Sequence, residues 1–179
     1  QAGASVTVVE PNPARGAWHT AAGMLAPITE LHYTETDLLR LNLDSLDRYP
    51  EFAAELSEIT GLDTGYRESG TVEVAWDAAD LAALRDLHTF GTSLGLTSRM
   101  LTPGELRSIE PGLAAGLPGG LLAEHDHQVD PRRLHSALTE AATRSGVGFI
   151  TALGRVRIDR ERAVGVDAEG ALLSAGTVV

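Results

Sequence analysis

The most constraining feature of this sequence is an apolar run that ends in a carboxylate, residues 6–10, followed by a loop of small residues, 16–27. The run predicts the second strand of a dinucleotide-binding unit, with Glu10 at the carboxyl edge of the parallel sheet. In a dinucleotide-binding unit, an acid at that position accepts hydrogen bonds from the hydroxyl groups of a ribose. Because small residues leave the backbone bare, the loop favours close approach of a flat or phosphorylated ligand to its N–H groups.

The glycine-rich phosphate loop of such a unit normally precedes the acid by about twenty residues. Here Glu10 is only the tenth residue of the chain. Residues 1–4 are typical of the end of a helix, with Gly3 as the left-handed residue that closes it. We therefore expect the first strand and the phosphate loop to lie before Gln1, and the chain to be a fragment.

Composition excludes several classes of protein. A hydrophobic fraction of 43% in 179 residues is enough for a core, and no apolar run approaches the length of a membrane helix. The net charge of −11 disfavours nucleic acid and anionic membranes as partners. The absence of cysteine excludes disulfides and thiolate metal sites, and it suits a reducing, cytoplasmic compartment. A homo-oligomer is left open.

Four helices are predicted along the chain. The first spans residues 34–49 and is interrupted by Pro50, after which an apolar face continues as far as residue 60. The other three begin after the N-cap residues Asp77, Thr102 and Asp130. The fourth helix is expected to bury one apolar face, made of Leu134, Ala137, Leu138 and Ala141.

Alternation and short apolar runs predict the strands. Two longer strands are expected at residues 66–76 and 119–129. After residue 146 the pattern becomes a series of short strands separated by turn residues. These are expected at residues 147–151, 155–159, 163–167, 171–174 and 177–179.

Five stretches of the chain resemble a known family. In order and spacing they are similar to the FAD-dependent amino-acid oxidases of the D-amino-acid oxidase group, and most of all to the glycine oxidases of thiamine biosynthesis. The stretches are residues 6–10, residues 21–27 with Glu30, residues 68–72, Glu110 and Pro111 with residues 119–121, and residues 129–134.

The resemblance implies an α/β fold in which an incomplete, Rossmann-like FAD domain is split around a substrate domain. The FAD domain would comprise residues 1–33 and 130–179, with a β-meander at about 153–175; the α+β substrate domain with its antiparallel sheet would comprise residues 34–129. Glu10 would bind the adenosine ribose, residues 22–24 would lie against the flavin and its phosphates, and Arg155 or Val156 would offer backbone groups to the adenine. The implied cofactor-binding residues are Glu10, Pro11, Ala21, Ala22, Gly23, Met24, Arg155 and Val156.

The activity that the resemblance implies is oxidation of glycine or another small amino acid or amine. The products would be an imine or oxo acid and, from molecular oxygen, hydrogen peroxide. The family's substrate-binding arginines and active-site loop would follow residue 179, so no residue of this chain is assigned a catalytic role. We expect the fragment by itself to be inactive.

Residues 18–19 support an alternative. Trp18 and His19 before the small residues are similar to the dimethylglycine and sarcosine dehydrogenases, in which a loop histidine carries the flavin covalently. Thr20 adds a residue and breaks that match, so we expect non-covalent FAD. A dehydrogenase of that type and an inactive nucleotide-binding fragment remain the two alternatives.

Three further features have competing interpretations. His125 and His127 would share one face of a continuous strand, but without a third ligand a polar strand edge is favoured over a metal site. Met24 is interpreted as a flavin contact rather than core packing. Arg132 and Arg133 are expected to be solvated rather than to bind an anionic substrate.

Overall fold

The computed structural model describes residues 3–179, which separate into two compact units. The flanking unit combines the segment up to Ala21 with His135–Val179, and the central unit is Ala22–Leu134. Gly3, the described part of the expected helix end, has the left-handed φ of 67°; residues 1 and 2 lie outside the described range. The domain division at residues 33 and 130 stays a prediction.

The flanking unit contains two small sheets. Strand β1 (Thr7–Val9) pairs in parallel with β7 (Gly148–Ile150), so that Val8 lies opposite Phe149. The meander consists of β8 (Arg155–Asp159), β9 (Arg162–Ala168) and β10 (Ala171–Ser174), paired antiparallel with β9 in the middle. The short strands thus form as the sequence predicts, except that residues 177–179 form none.

The central unit is built on an antiparallel sheet. Strand β5 (Gly119–Ala123) lies between β3 (Thr71–Ala75) and β4 (Arg99–Leu101). Two helices pack on this sheet, α2 (Ala78–Ser93) and α3 (Pro103–Ile109). A buried cluster joins α2 to the sheet and consists of Ala75, Leu84 and Leu121, with Leu81, Leu87 and Met100 against it.

The first long helix, α1 (Thr36–Thr60), corrects a prediction, because it runs through Pro50 without interruption. Proline inside a helix removes one hydrogen bond and costs about 3 kcal/mol. The helix buries side chains along its whole length, from Leu39 to Leu56, on both sides of the proline. Continuous packing of one face therefore outweighs the local cost, and Gly61 ends the helix with a φ of 75°.

The prediction of one continuous strand at residues 119–129 is wrong, because the strand is broken in its middle. Strand β5 ends at Ala123, residues 124 and 125 form a turn, and a separate strand β6 (His127–Gln128) pairs with β2 (Met24–Leu25). His125 and His127 therefore do not share one strand face. The strand expected at 66–76 is likewise shorter, with a single bridge from Arg67 to Gln128 before β3 begins.

Local hydrogen bonds define the remaining helix starts as expected. The Asp77 carboxylate accepts from the N–H groups of Ala79 and Asp80, and Thr102 forms a capping box with Glu105. Helix α4 (Pro131–Arg144) begins after Asp130. Its predicted apolar face is only partly correct, because Ala137 is buried whereas Leu138 is exposed. No helix within residues 3–179 is both long and apolar enough to span a membrane.

Candidate functional site

Glu10 lies at the carboxyl end of a parallel strand, as predicted. Its N–H donates to the carbonyl of Ile150 at 3.0 Å and so extends the β1–β7 pairing by one step. Its Oε1 accepts from the N–H of Asn12 at 2.9 Å, which turns the chain at Pro11. The carboxylate is therefore held at the sheet edge by its own loop, in the position from which a dinucleotide-binding acid contacts a ribose.

A glycine brings the start of β8 next to the end of β1. A Cβ at Gly154 would lie 2.9 Å from Val166 Cγ1 and 3.2 Å from Val9 Cγ1, which is too close for any larger residue without a shift. Arg155 and Val156 follow directly, on a strand that has a partner on one side only. An edge strand leaves alternate backbone groups outside the sheet. The structure thus places the predicted adenine-binding backbone near the predicted ribose-binding acid.

The loop after Glu10 is organised by a tryptophan. A single helical turn at Ala17–His19 places Trp18 flat on His135, with ring centroids 3.9 Å apart and an interplanar angle of 9°. A Cβ at Gly16 would lie 2.6 Å from the Trp18 ring. The N–H of Ala21 donates to the carbonyl of Ala17. His19 lies edge-on to Trp18 and is exposed.

The packing of the chain requires glycine at position 23, in addition to the close approach of a ligand that the sequence suggests for this loop. Its φ is 81°, and a Cβ there would collide with the carbonyl oxygen of Val129. The N–H of Val129 in turn donates to the carbonyl of Gly23 at 2.9 Å. The bare side of this glycine is thus occupied by the protein's own backbone.

A cavity of about 140 Å³ opens beside Met24 in the central unit. One wall is the segment from Met24 to Glu30, and the other is one face of helix α1. Drug-sized ligands need about 300–1,000 Å³, so a cavity of this size suits a small molecule. Met24 is 55% exposed, which contradicts the alternative that this side chain packs in the core. The lining residues are Met24, Leu25, Ala26, Pro27, Glu30, Asn42, Ser45, Leu46 and Tyr49.

Comparison with known proteins fits this arrangement. The family model described as FAD-dependent oxidoreductase matches residues 1–179. The chain is 37% identical to the bifunctional ThiO/ThiG protein of Synechocystis over 142 residues, which are 79% of the chain. It is also 37% identical to glycine oxidase of Geobacillus kaustophilus over 132 residues, which are 73% of the chain. The crystal structure of the latter enzyme superimposes with a TM-score of 0.85 and 32% identity over 96% of the chain.

The chain belongs to the FAD-dependent oxidoreductase family. It spans 20% and 35% of the lengths of the two relatives and 46% of the crystallised chain. The mixed α/β fold, the family and its FAD dependence are therefore confirmed. The individual cofactor-binding residues stay predictions.

Two features of the structure fit this family's cofactor. The Glu10 carboxylate uses one oxygen for its loop, and the side chain is only partly buried, so it can still accept from a ligand hydroxyl. The exposed Met24 gives an apolar contact surface beside the cavity, which suits the face of a flavin ring. Pro11 and Ala21 belong to the same loop as Glu10, whereas Ala22 and Met24 belong to the central unit.

An aromatic group continues from the cavity to β6. Tyr49, a cavity residue, stacks against Tyr66 with ring centroids 5.8 Å apart. The Tyr66 hydroxyl lies 2.7 Å from Nδ1 of His127 and 3.4 Å from Oε1 of Glu68. Burial, then the charge of Glu68 and its hydrogen bond, raise the pKa of Tyr66 to about 12. The hydroxyl therefore stays protonated and fixes the Tyr66 ring beside Tyr49.

The sequence missed the buried acid of this region. Asp126 is completely buried and accepts three hydrogen bonds, from the N–H groups of Ile28 and Thr29 and from the Thr29 hydroxyl. In the sequence, Asp126 is one of five polar residues in a row, residues 124–128, and carries no distinguishing signal. Within residues 3–179, no three histidines, cysteines, aspartates or glutamates are arranged to bind a metal.

Glu73 is a second acid in the same region. Its Oε2 atom is buried without a hydrogen-bond partner. Burial raises the pKa of its carboxyl, and the charge of Asp126 raises it further. The two acids thus differ, because Asp126 is fully engaged by donors and Glu73 is not.

Of the two arginines that follow Asp130, Arg133 has a structural role. Arg133 pairs with Asp63 at 2.5 Å and lies 3.5 Å from Asp130. The pKa of Asp130 is lowered, first by the hydrogen bond from the N–H of Arg133 and also by the one from the N–H of Arg132, although desolvation acts in the opposite direction. A Cβ at Gly65 would lie 2.6 Å from Cβ of Asp130. Arg133 therefore helps to hold the segment after α1 against the start of α4 and is not simply solvated.

Proposed function

We propose that the protein carrying this chain is an FAD-dependent oxidase of glycine or another small amino acid or amine. The cavity beside Met24 is the observation that supports this most. It is small, and its lining includes Glu30 on one wall and Asn42, Ser45 and Tyr49 on the opposite wall. A carboxylate in a small cavity favours a cationic ammonium group over an anion.

When bound, FAD would supply the acceptor for the hydride of the substrate's α-carbon, with molecular oxygen as the final electron acceptor that gives hydrogen peroxide. The contribution of this chain is to bind and orient. Glu10 would hold the adenosine ribose, and Arg155 or Val156 the adenine. The loop at residues 21–24 would lie along the phosphates and flavin, and the cavity would receive the substrate. A role in thiamine biosynthesis and a cytoplasmic location are parts of the same proposal.

The test uses the purified full-length protein. We expect flavin absorption bands and release of hydrogen peroxide when glycine or sarcosine is added. Larger amino acids should be poorer substrates, since the cavity is small. A colourless full-length protein, or one that binds FAD but oxidises no amine, would contradict the proposal.

His19 favours one alternative, a flavin dehydrogenase of the sarcosine or dimethylglycine type. Its side chain is exposed on the turn that precedes the small residues. Flavin fluorescence that survives denaturing electrophoresis, and that is lost in His19→Ala, would support a covalent link. Turnover with an artificial electron acceptor but without peroxide would then identify the dehydrogenase.

A further inference from the structure

Asp126 is a buried charge outside the proposed cofactor and substrate contacts. Its side chain is 0% exposed. A buried carboxylate is tolerated only where donors replace its water shell. Its three donors all come from Ile28 and Thr29, which lie 98 and 97 residues earlier in the sequence.

The two backbone donors use different carboxylate oxygens. Oδ1 accepts from the N–H of Ile28 at 3.0 Å, and Oδ2 accepts from the N–H of Thr29 at 3.0 Å and from its hydroxyl at 2.7 Å. An amide has one acceptor oxygen and one NH2 group. Asparagine at this position would therefore leave at least one backbone N–H facing a donor.

Ile28 and Thr29 lie inside the cavity wall. The turn that contains them is closed by a hydrogen bond from the N–H of Glu30 to the carbonyl of Ala26. Ala26, Pro27 and Glu30 line the cavity, whereas the side chain of Ile28 is buried. Strand β2 fixes the start of this segment by pairing with β6, and Asp126 is the residue that fixes the turn.

We propose that Asp126 is the positioning residue of this wall, and that its carboxylate sets the place of Glu30 and Pro27 and hence the affinity of the cavity for a small amine. The inference rests on the proposed function for the identity of the ligand. The anchoring of residues 26–30 by Asp126 does not depend on it.

The test compares two aspartate-to-asparagine variants of the full-length protein. In Asp126→Asn we expect the KM for the amine to rise about tenfold or more, with kcat changed much less, because binding to a displaced wall is weakened. Asp77→Asn is the matched control. Asp77 also accepts from two backbone N–H groups, but both bonds go to its Oδ1, which asparagine retains.

A purely structural role would give a different pattern. Loss of folded protein lowers the apparent kcat and leaves KM unchanged. An unchanged KM in Asp126→Asn, or an equal rise in Asp77→Asn, would overturn the proposal. If Asp126→Asn does not fold, Thr29→Val removes only the hydroxyl bond. We then expect a KM rise of roughly threefold in Thr29→Val and much less in Thr29→Ser, and equal values in these two variants would overturn it.

Hydrogen exchange provides a readout that needs no substrate. In Asp126→Asn, or in Thr29→Val where that variant is used, the amides of Ile28 and Thr29 should exchange faster than in the wild type, while those of α2 should not change. Faster local exchange in a protein that oxidises no amine would retain Asp126 as the anchor and reject only the proposed function. Unchanged exchange at these two amides would reject the anchor itself.

Discussion

The two units of the molecule bury their apolar side chains differently. The buried apolar residues of the flanking unit are all alanines within the described range, namely Ala137, Ala152 and Ala168. Its larger apolar residues are exposed, with Val8 at 39% and Ile158 at 65%. The central unit buries leucines from helices α1, α2 and α3 and from strands β4 and β5. Within residues 3–179, strand pairing therefore contributes more to the flanking unit than side-chain packing does, whereas the central unit has a core of its own.

The candidate binding residues of the two units differ in the same way. Glu10 lies at a sheet edge and is held by one hydrogen bond from its own loop. The cavity wall in the central unit is fixed by β2–β6 pairing, by the Gly23–Val129 contact and by Asp126. A change at Glu10 should thus affect ligand binding with little effect on folding, whereas a change in the central unit should affect both.

The largest expected effect tests the difference in packing. Leu121→Ala should lower the free energy of unfolding by about 3 kcal/mol, because it empties a site in the buried cluster between sheet and α2. Leu172→Ala, on β10 of the flanking unit, should cost less than about 1 kcal/mol since Leu172 is 48% exposed. Chemical denaturation followed by circular dichroism measures both. Similar losses in the two variants would show that the units do not differ in this way.

The second prediction tests the edge position of Glu10. In the full-length protein, Glu10→Gln should weaken FAD binding about tenfold, because a neutral amide replaces a charged acceptor for the ribose hydroxyls. The melting temperature of the apoprotein should stay close to that of the wild type. Flavin fluorescence titration measures the Kd. Glu51→Gln, on the exposed side of α1, serves as the control.

A loss of apoprotein stability in Glu10→Gln, without a change in FAD affinity, would reverse the assignment. Glu10 would then be a structural residue that turns the loop through Asn12. We expect Arg155→Ala, in contrast to Glu10→Gln, to leave the affinity for FAD unchanged. The adenine contact is expected from backbone groups of β8, and these survive the removal of a side chain.

The parts that could be predicted from the sequence depend on neighbours along the chain. Asp77, Thr102 and Asp130 cap their helices because the N–H groups they accept from are two or three residues away. The position of Glu10 at the end of a parallel strand could be predicted from an apolar run followed by one acid. These are local patterns, and the structure reproduces them.

The parts that could not be predicted depend on distant contacts. Nothing in the sequence joins Asp126 to Ile28, because a carboxylate in a turn is ordinarily solvated. Pro50 normally ends a helix, and only the packing along α1 reverses that preference. Gly23 has a second role that no local pattern shows, because the space for a side chain at this residue is taken by the Val129 carbonyl. The cavity itself arises where two separate segments meet.

The smallest expected effect concerns Glu73, the acid without a partner in the better-packed unit. Its pKa is raised in the folded protein, by burial first and by Asp126 second. The charged form is therefore disfavoured by folding, and the cost is present above the folded pKa and disappears as the pH falls towards 4.5, the ordinary value. Glu73→Gln, which mimics the neutral form, should stabilise the protein by about 1 kcal/mol at pH 7. Denaturation between pH 7 and pH 4.5 measures this difference, which should shrink as the pH falls; Glu58→Gln, exposed on α1, is the control. A difference that grows on acidification would mean that the Glu73 carboxylate is stabilised in the fold, and the contrast with the fully hydrogen-bonded Asp126 would be lost.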